Sequence, residues 1–273
     1  MQTETWQTNL SRILSEAKGT WGVSVAEIGR GTYFEHLADE LFIAESIIKL
    51  PIMAAVYAAA AQGRFSLDDR LALRREDLVE GSGVLFTLTP GLSLTIRELV
   101  TLMIIQSDNT ATNVLIDLIG KEQIDQTMRE LGMERSRYVR KLMIYPADVT
   151  ETNTVAARDV ARMLGRLAEG SYLSARACKE MVAILKKQQF CNGLPSLLPT
   201  AASPDGKGEH PTDWEMGSKS GWDTGRQHDA AILYARGRCF VIAALSQDVD
   251  AEEALHTLGL LGRAVYEHAK REE

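Results

Sequence analysis

The chain has 273 residues, 45% of them hydrophobic and 25% charged, and carries a formal net charge of −7. That length can bury a large core in one domain or in two closely packed lobes. The acidic balance excludes a general nucleic-acid binder, whose surface is usually basic, and no apolar run approaches the roughly 20 residues that span a bilayer.

Residues Met1-Gln2-Thr3-Glu4-Thr5-Trp6 hold neither a basic stretch nor an apolar one. No secretory signal is read there, so a cytoplasmic protein is expected; a leader removed beforehand would make it extracellular or periplasmic. Trp6, Leu10, Ile13, Leu14 and Ala17 recur at helical spacing, which predicts an amphipathic helix over 5–18, ended by Gly19. Residues 21–28 read as a strand, Gly29-Arg30-Gly31 as a turn, and 32–37 as a second strand.

From Phe42 to about Gln189 the pattern is almost entirely helical. Thr95-Ile96-Arg97-Glu98 is a capping box opening a helix through Ile105. Further helices are expected over 109–119, closed by Gly120, and over 154–168 and 174–188. After Gln189, four prolines punctuate a loop, and 214–222, 228–236 and 238–246 read as strands. Asp250 caps a last helix with Ala254, Leu255, Leu258, Leu261 and Val265 on one face.

The two ends must therefore pair into one sheet around a helical insertion. The expected fold class is α/β (α+β): an antiparallel five-stranded sheet flanked by helices, built from 1–41 and 190–273, plus an all-helical lobe over 42–189. The whole chain forms a single catalytic domain, with a ligand cleft between the lobes.

Three odd, widely spaced cysteines and five scattered histidines offer neither a disulfide framework nor metal-ligand spacing. No metal or organic cofactor is expected.

Ser46-Ile47-Ile48-Lys49 is the centre of the reading. A serine and a lysine three residues apart at a helix start share one face. There the free N–H groups and the dipole favour a developing anion. A lysine kept neutral by burial can take the serine's proton. About one S-x-x-K arises by chance in a chain of this length. The other one here, Ser15-Glu16-Ala17-Lys18, lies on the polar face of the first helix and reads as surface. Ser107-Asp108-Asn109 between two apolar helices reads most plainly as an N-cap. Lys219-Ser220-Gly221 reads as an edge strand beside a turn. Lys49 and Lys219 converging on one pocket would depress each other's pKa. Arg226 and His228, at the start of the next strand, offer a further cation for a carboxylate, or are simply a solvated turn.

Taken together and in this order, S-x-x-K, S-D-N and K-[ST]-G resemble the class A β-lactamases and penicillin-binding proteins. The gaps are 58 residues from Lys49 to Ser107 and 112 from Ser107 to Lys219. The stretch Asn109-Thr110-Ala111-Thr112-Asn113 is similar to the family as well. The resemblance spans nearly the whole chain and implies a serine hydrolase working on β-lactams, D-Ala-D-Ala-like peptides or small esters. It implies Ser46 as the acylated nucleophile, Lys49 as its base or proton relay, and Ser107 as proton donor to the leaving nitrogen. Asn109 would hold the substrate's amide and Lys49. Lys219 would orient Ser107 and attract a substrate carboxylate, which Ser220, next to Gly221 on the substrate-binding strand, would bind. The backbone N–H groups of Ser46 and Trp222 would form the oxyanion hole. The implied partner is a small-molecule or peptide substrate bound by a monomer.

The sequence departs from the family at one place. The loop Arg140–Asn153 is several residues short, and Tyr145 precedes its proline where the family has the glutamate that activates the deacylating water. Asp148 and Glu151 are its only carboxylates, and both read better as caps of the next helix. Slow release of the acyl group is expected. The alternative is a non-turnover, sensor-like binder of β-lactams or muropeptides.

Overall fold

The computed structural model describes residues 5–144, 150–199 and 213–271. Helix α1 (Trp6–Glu16) starts at Thr5, whose hydroxyl accepts from the Thr8 N–H, and buries Trp6, Leu10, Ile13 and Leu14. The hairpin β1 (Thr20–Glu27) and β2 (Gly31–His36) follows, with a register break between Val25 and Ala26.

Strand β3 (Phe42–Ile43) leads into a 3₁₀ turn, Glu45–Ile48, that runs on into α2 (Lys49–Ala61). Helix α2 is apolar on every side, and each residue from Lys49 to Ala59 is buried. A helix of that composition has no solvent face, so it lies at the centre of its lobe.

Around it, β4 (Arg70–Ala72) pairs with β5 (Ser93–Thr95). Helix α3 (Ile96–Ile105) opens with the expected reciprocal capping box between Thr95 and Glu98. Helices α4 (Asn109–Ile119) and α5 (Lys121–Glu130) are joined by Gly120, whose φ is 83°. Sequence reading did not single out α5, a charged helix of low mean hydropathy. Strand β6 (Thr154–Val155) pairs with β3, so α6 (Ala157–Ala168) begins later than its periodicity suggested. Helix α7 (Ala175–Leu185) is capped by Ser174.

Strands β7 (Trp214–Asp223), β8 (Arg226–Ala235) and β9 (Arg238–Gln247) then complete the sheet, and α8 (Ala251–Ala269) closes the fold on its Asp250 cap. The sheet is five-stranded and antiparallel, in the order β2-β1-β9-β8-β7. Its faces divide by the two-residue period of a strand. Ala230, Ile232, Val241 and Ala243 face the core built around α2. Ala231, Leu233, Ile242 and Ala244 face α1 and α8. Among the described residues no helix is long and apolar enough to cross a membrane.

Candidate active site

The turn ahead of α2 lifts Ser46 to the surface of a cleft of about 510 Å³. Lys49, one turn later, is fully buried. Glu45 just before the serine has a φ of 44°, a left-handed conformation rare outside glycine, and Ser107 has one of 52°. Such strain persists only where neighbours hold it. At Ser107 the holder is Asp108. One of its oxygens caps α4 through the Ala111 N–H, and the other accepts from the Val84 and Leu85 N–H groups. The tripeptide thus does more than cap: Asp108 caps α4, while Ser107 and Asn109 turn to Lys49.

The Lys49 ammonium nitrogen has four oxygens around it. Ser46 Oγ lies at 3.0 Å, Ser107 Oγ at 3.0 Å, Ser107 O at 2.5 Å and Asn109 Oδ1 at 2.9 Å. The carbonyl of Ser107 and the amide oxygen of Asn109 can only accept. A neutral amine gives them its two N–H bonds and keeps one lone pair for the Ser46 hydroxyl, while the Ser107 hydroxyl donates to Ser46 Oγ. Burial, then the neighbouring Lys219 charge, holds the Lys49 pKa well below its ordinary value. Of the mutual depression expected from two lysines, one half is present: Lys219 lowers Lys49 after burial, whereas Lys219 itself is lowered by burial. Ser107 Oγ also lies 2.7 Å from Ser46 Oγ and 3.2 Å from Lys219 Nζ, so the four side chains form one continuous network.

Strand β7 is an edge strand, as its lysine and glycine suggested, yet Lys219 is fully buried. Burial pushes its pKa down, against the pull of Asp229, whose own pKa burial pushes up. Gly221 is required by close packing. A Cβ there would sit 2.9 Å from the Ser46 nitrogen and 3.1 Å from that of Ile47. That contact brings the Trp222 peptide to the Ser46 end of the cleft, where Trp222 is 42% exposed and meets Phe190 edge-on at 5.0 Å. The Ser220 hydroxyl is buried with no partner among the described residues, an acceptor and donor held ready for a ligand.

Arg226 reaches the cleft, but its charge is already engaged. Its Nε lies 2.6 Å from Glu45 and an Nη 3.4 Å from Asp223. His228 is not brought to the cleft. The Ser246 N–H donates to its Nδ1 at 3.1 Å, so Nε2 carries the proton and donates to the Ile43 carbonyl at 2.9 Å. Its ring ties β8 to β3 as a neutral group, and burial pushes its pKa down to about 4. The folded protein thus refuses a proton that the unfolded chain accepts below about 6.5. Stability is expected to fall as pH drops from 6.5 to about 4 and to level below that. Urea titrations of the parent and of His228→Gln across this range check it, since the variant should lose that part of the slope.

The short loop is pinned by two asparagines. Asn113 exchanges two bonds with the backbone of Leu142. Asn153 Oδ1 accepts from the Val139 and Arg140 N–H groups, and its Nδ2 donates to the Arg140 carbonyl. Glu151 is exposed and does not cap α6, whose N-cap, Ala156, has no side-chain bond. Strand β6 intervenes and moves the helix start out of its reach. Tyr145 and Asp148 lie outside the described residues. Sequence reasoning missed Glu45, Arg140, Gly81 and Ser82, which also line the cleft. The signal for Glu45 was its place beside Ser46, and for the loop at 81–83 its two glycines.

A five-stranded antiparallel sheet with a helical lobe, and a buried lysine amine in reach of two serine hydroxyls at their junction, define a serine hydrolase of the class A β-lactamase type. The chain belongs to the Beta-lactamase enzyme family, which it matches over residues 5–269. It is 32% identical over 263 residues to a β-lactamase of Rhodobacter capsulatus, covering 94% of this chain and 85% of the relative. The solved β-lactamase of Sphaerobacter thermophilus DSM 20745 superposes with a TM-score of 0.86 at 32% identity, over 98% of each chain. PBP-A superposes with a TM-score of 0.81 at 27% identity, over 96% of this chain and 95% of its own. A mutant of PBP-A has been solved as an acyl-enzyme complex with penicillin G.

Proposed function

We propose that this enzyme acts as one catalytic domain, as a monomer, and transfers acyl groups through an ester on Ser46. Its substrates are β-lactams, D-Ala-D-Ala-like peptides or small esters, and no metal or organic cofactor takes part in the route. Ser46 Oγ attacks the carbonyl carbon while the Lys49 lone pair takes its proton. The oxyanion forms against the N–H groups of Ser46 and Trp222, each donor typically worth a few kcal/mol in the transition state. As the intermediate collapses, the C–N bond breaks and Ser107 hands its proton to the leaving nitrogen. Lys49 re-protonates Ser107 across their 3.0 Å contact. Asn109 positions the amide side chain of the substrate. The Ser220 hydroxyl and the Lys219 charge receive its carboxylate, beside Gly221. Arg226, whose charge Glu45 and Asp223 already balance, is not among the groups that receive it.

The observation that carries this reading is the amine of Lys49, buried and surrounded by oxygens, with both serine hydroxyls in reach. The acyl-enzyme of the PBP-A mutant supports it. Intact-mass analysis after a penicillin or a fluorophosphonate is expected to show one adduct, absent in Ser46→Ala. It should persist in Ser15→Ala, because Ser15 is exposed on α1 and its hydroxyl bonds the Arg12 carbonyl. An adduct on any serine other than Ser46 would sink the assignment. A non-turnover binder differs from this reading only in the fate of the ester.

A further inference from the structure

We propose that the Glu45–Arg226 ion pair is the positioning element of the oxyanion hole. The inference rests on the acyl-Ser46 reading. Its two donors come from opposite ends of the chain. One is the N–H of Ser46, at the start of the turn before α2. The other is the N–H of Trp222, next to the end of edge strand β7, which pairs on one side only, with β8. Gly221 against the Ser46 nitrogen sets how closely the two segments can approach. A van der Waals contact limits approach but does not oppose separation.

The charge pair supplies that restraint. Glu45 directly precedes Ser46, and Asp223 directly follows Trp222. Arg226 stands between the two carboxylates, with Nε 2.6 Å from Glu45 and an Nη 3.4 Å from Asp223. A carboxylate, a guanidinium and a second carboxylate therefore link the immediate neighbours of both donors. The Glu45 and Arg226 side chains are only 17% and 25% exposed, so water screens the pair less than it would at the surface. The left-handed backbone of Glu45, at φ 44°, also needs something to hold it, and its own side chain is anchored by this bond.

A positioning role differs from a merely structural one in what it leaves alone. Misplacing one donor weakens the transition state, not the resting complex. In Glu45→Gln and in Arg226→Gln, the rate of Ser46 acylation is expected to fall about tenfold to a hundredfold. Non-covalent affinity for a hydrolysed penicillin should stay within about threefold of the parent. The double variant should be no slower than the slower single one, since either change breaks the same link. Glu45→Gly, which removes the carboxylate but suits the left-handed backbone, should behave like Glu45→Gln and guards against a folding artefact. Lys18→Ala, which breaks an exposed pair with Glu253, should leave the rate unchanged.

Acylation within about threefold of the parent in both single variants would overturn the proposal, and so would equal losses in acylation and in affinity. Independent losses that multiply in the double variant would overturn the pairing. Intact mass keeps the two levels apart. A parent that takes its adduct on Ser46 sustains the underlying reading whatever the variants do. A parent without that adduct overturns both.

Discussion

Replacing Lys49 by alanine is expected to slow acylation of Ser46 by about 10²–10⁴-fold, the usual worth of a general base, while initial binding stays near the parent's. A base that acts only in the transition state changes the chemical step and not ground-state affinity. Among the described residues none beside Ser46 is placed to replace the amine. Ser107 O and Asn109 Oδ1 are its hydrogen-bond acceptors, and Lys219 meets the network at Ser107 Oγ, 3.2 Å away. Lys49→Met keeps much of the buried volume and should show the same loss, which separates chemistry from packing.

The pH profile tests the same group. The base must be neutral, so acylation by the parent should rise as pH climbs through the Lys49 pKa and be flat above it. Burial and Lys219 put that rise well below 10.5. The rising limb should vanish in Lys49→Met. Pre-steady-state acylation measured across pH decides it, and a variant that acylates at near the parental rate would refute the assignment.

Mixing the enzyme with nitrocefin is expected to give a burst near one equivalent, followed by slow turnover. An acyl ester in a water-poor cleft hydrolyses only when a base orients and deprotonates a water, again a matter of about 10²–10⁴-fold. The carboxylates that line the cleft among the described residues are Glu45 and Asp223, and both are bonded to the Arg226 guanidinium. Glu151 is exposed. A free tyrosine phenol titrates near 10 and is a poor base at pH 7, so a tyrosine at position 145 is no replacement for the glutamate. The amide of Asn153 makes its bonds to the loop backbone, which leaves it poorly placed to share a water. Stopped-flow absorbance reads both phases. Steady turnover of many per second with no burst would mean that Asp148, Glu151 or Lys49 already serves as the base.

Much of this was legible in the chain because periodic patterns carry it. The strand expected over 228–236 is β8, Arg226–Ala235, whose apolar run is buried. The box at Thr95 and Glu98 and the cap at Asp250 fell where their donors needed them. The three motifs found each other because each sits at a boundary of regular structure, where its spacing to a helix or strand is fixed. What stayed illegible depends on contacts between distant segments. His228 reads like any polar residue at a strand start, and only β3 and β9 packing on it show a buried neutral ring. Arg226 looked like a free cation until Glu45, 181 residues away in the chain, lay against it. The two-residue strand β6 is too short for any period, so the start of α6 was read too early.

The sheet order has a consequence for how the protein is made. Strand β1 pairs with β9, so Thr20 waits for Gln247 and Glu27 for Phe240. During synthesis the first hairpin leaves the ribosome with its inner edge bare, and the α2-centred lobe emerges before anything can cover that edge. Domains with such distant pairings close late, and an uncovered strand edge is where nascent chains stick to one another. Lys219 lies on β7, translated only shortly before β9. Ser46 and Lys219 therefore come together only after the chain has been made past β7.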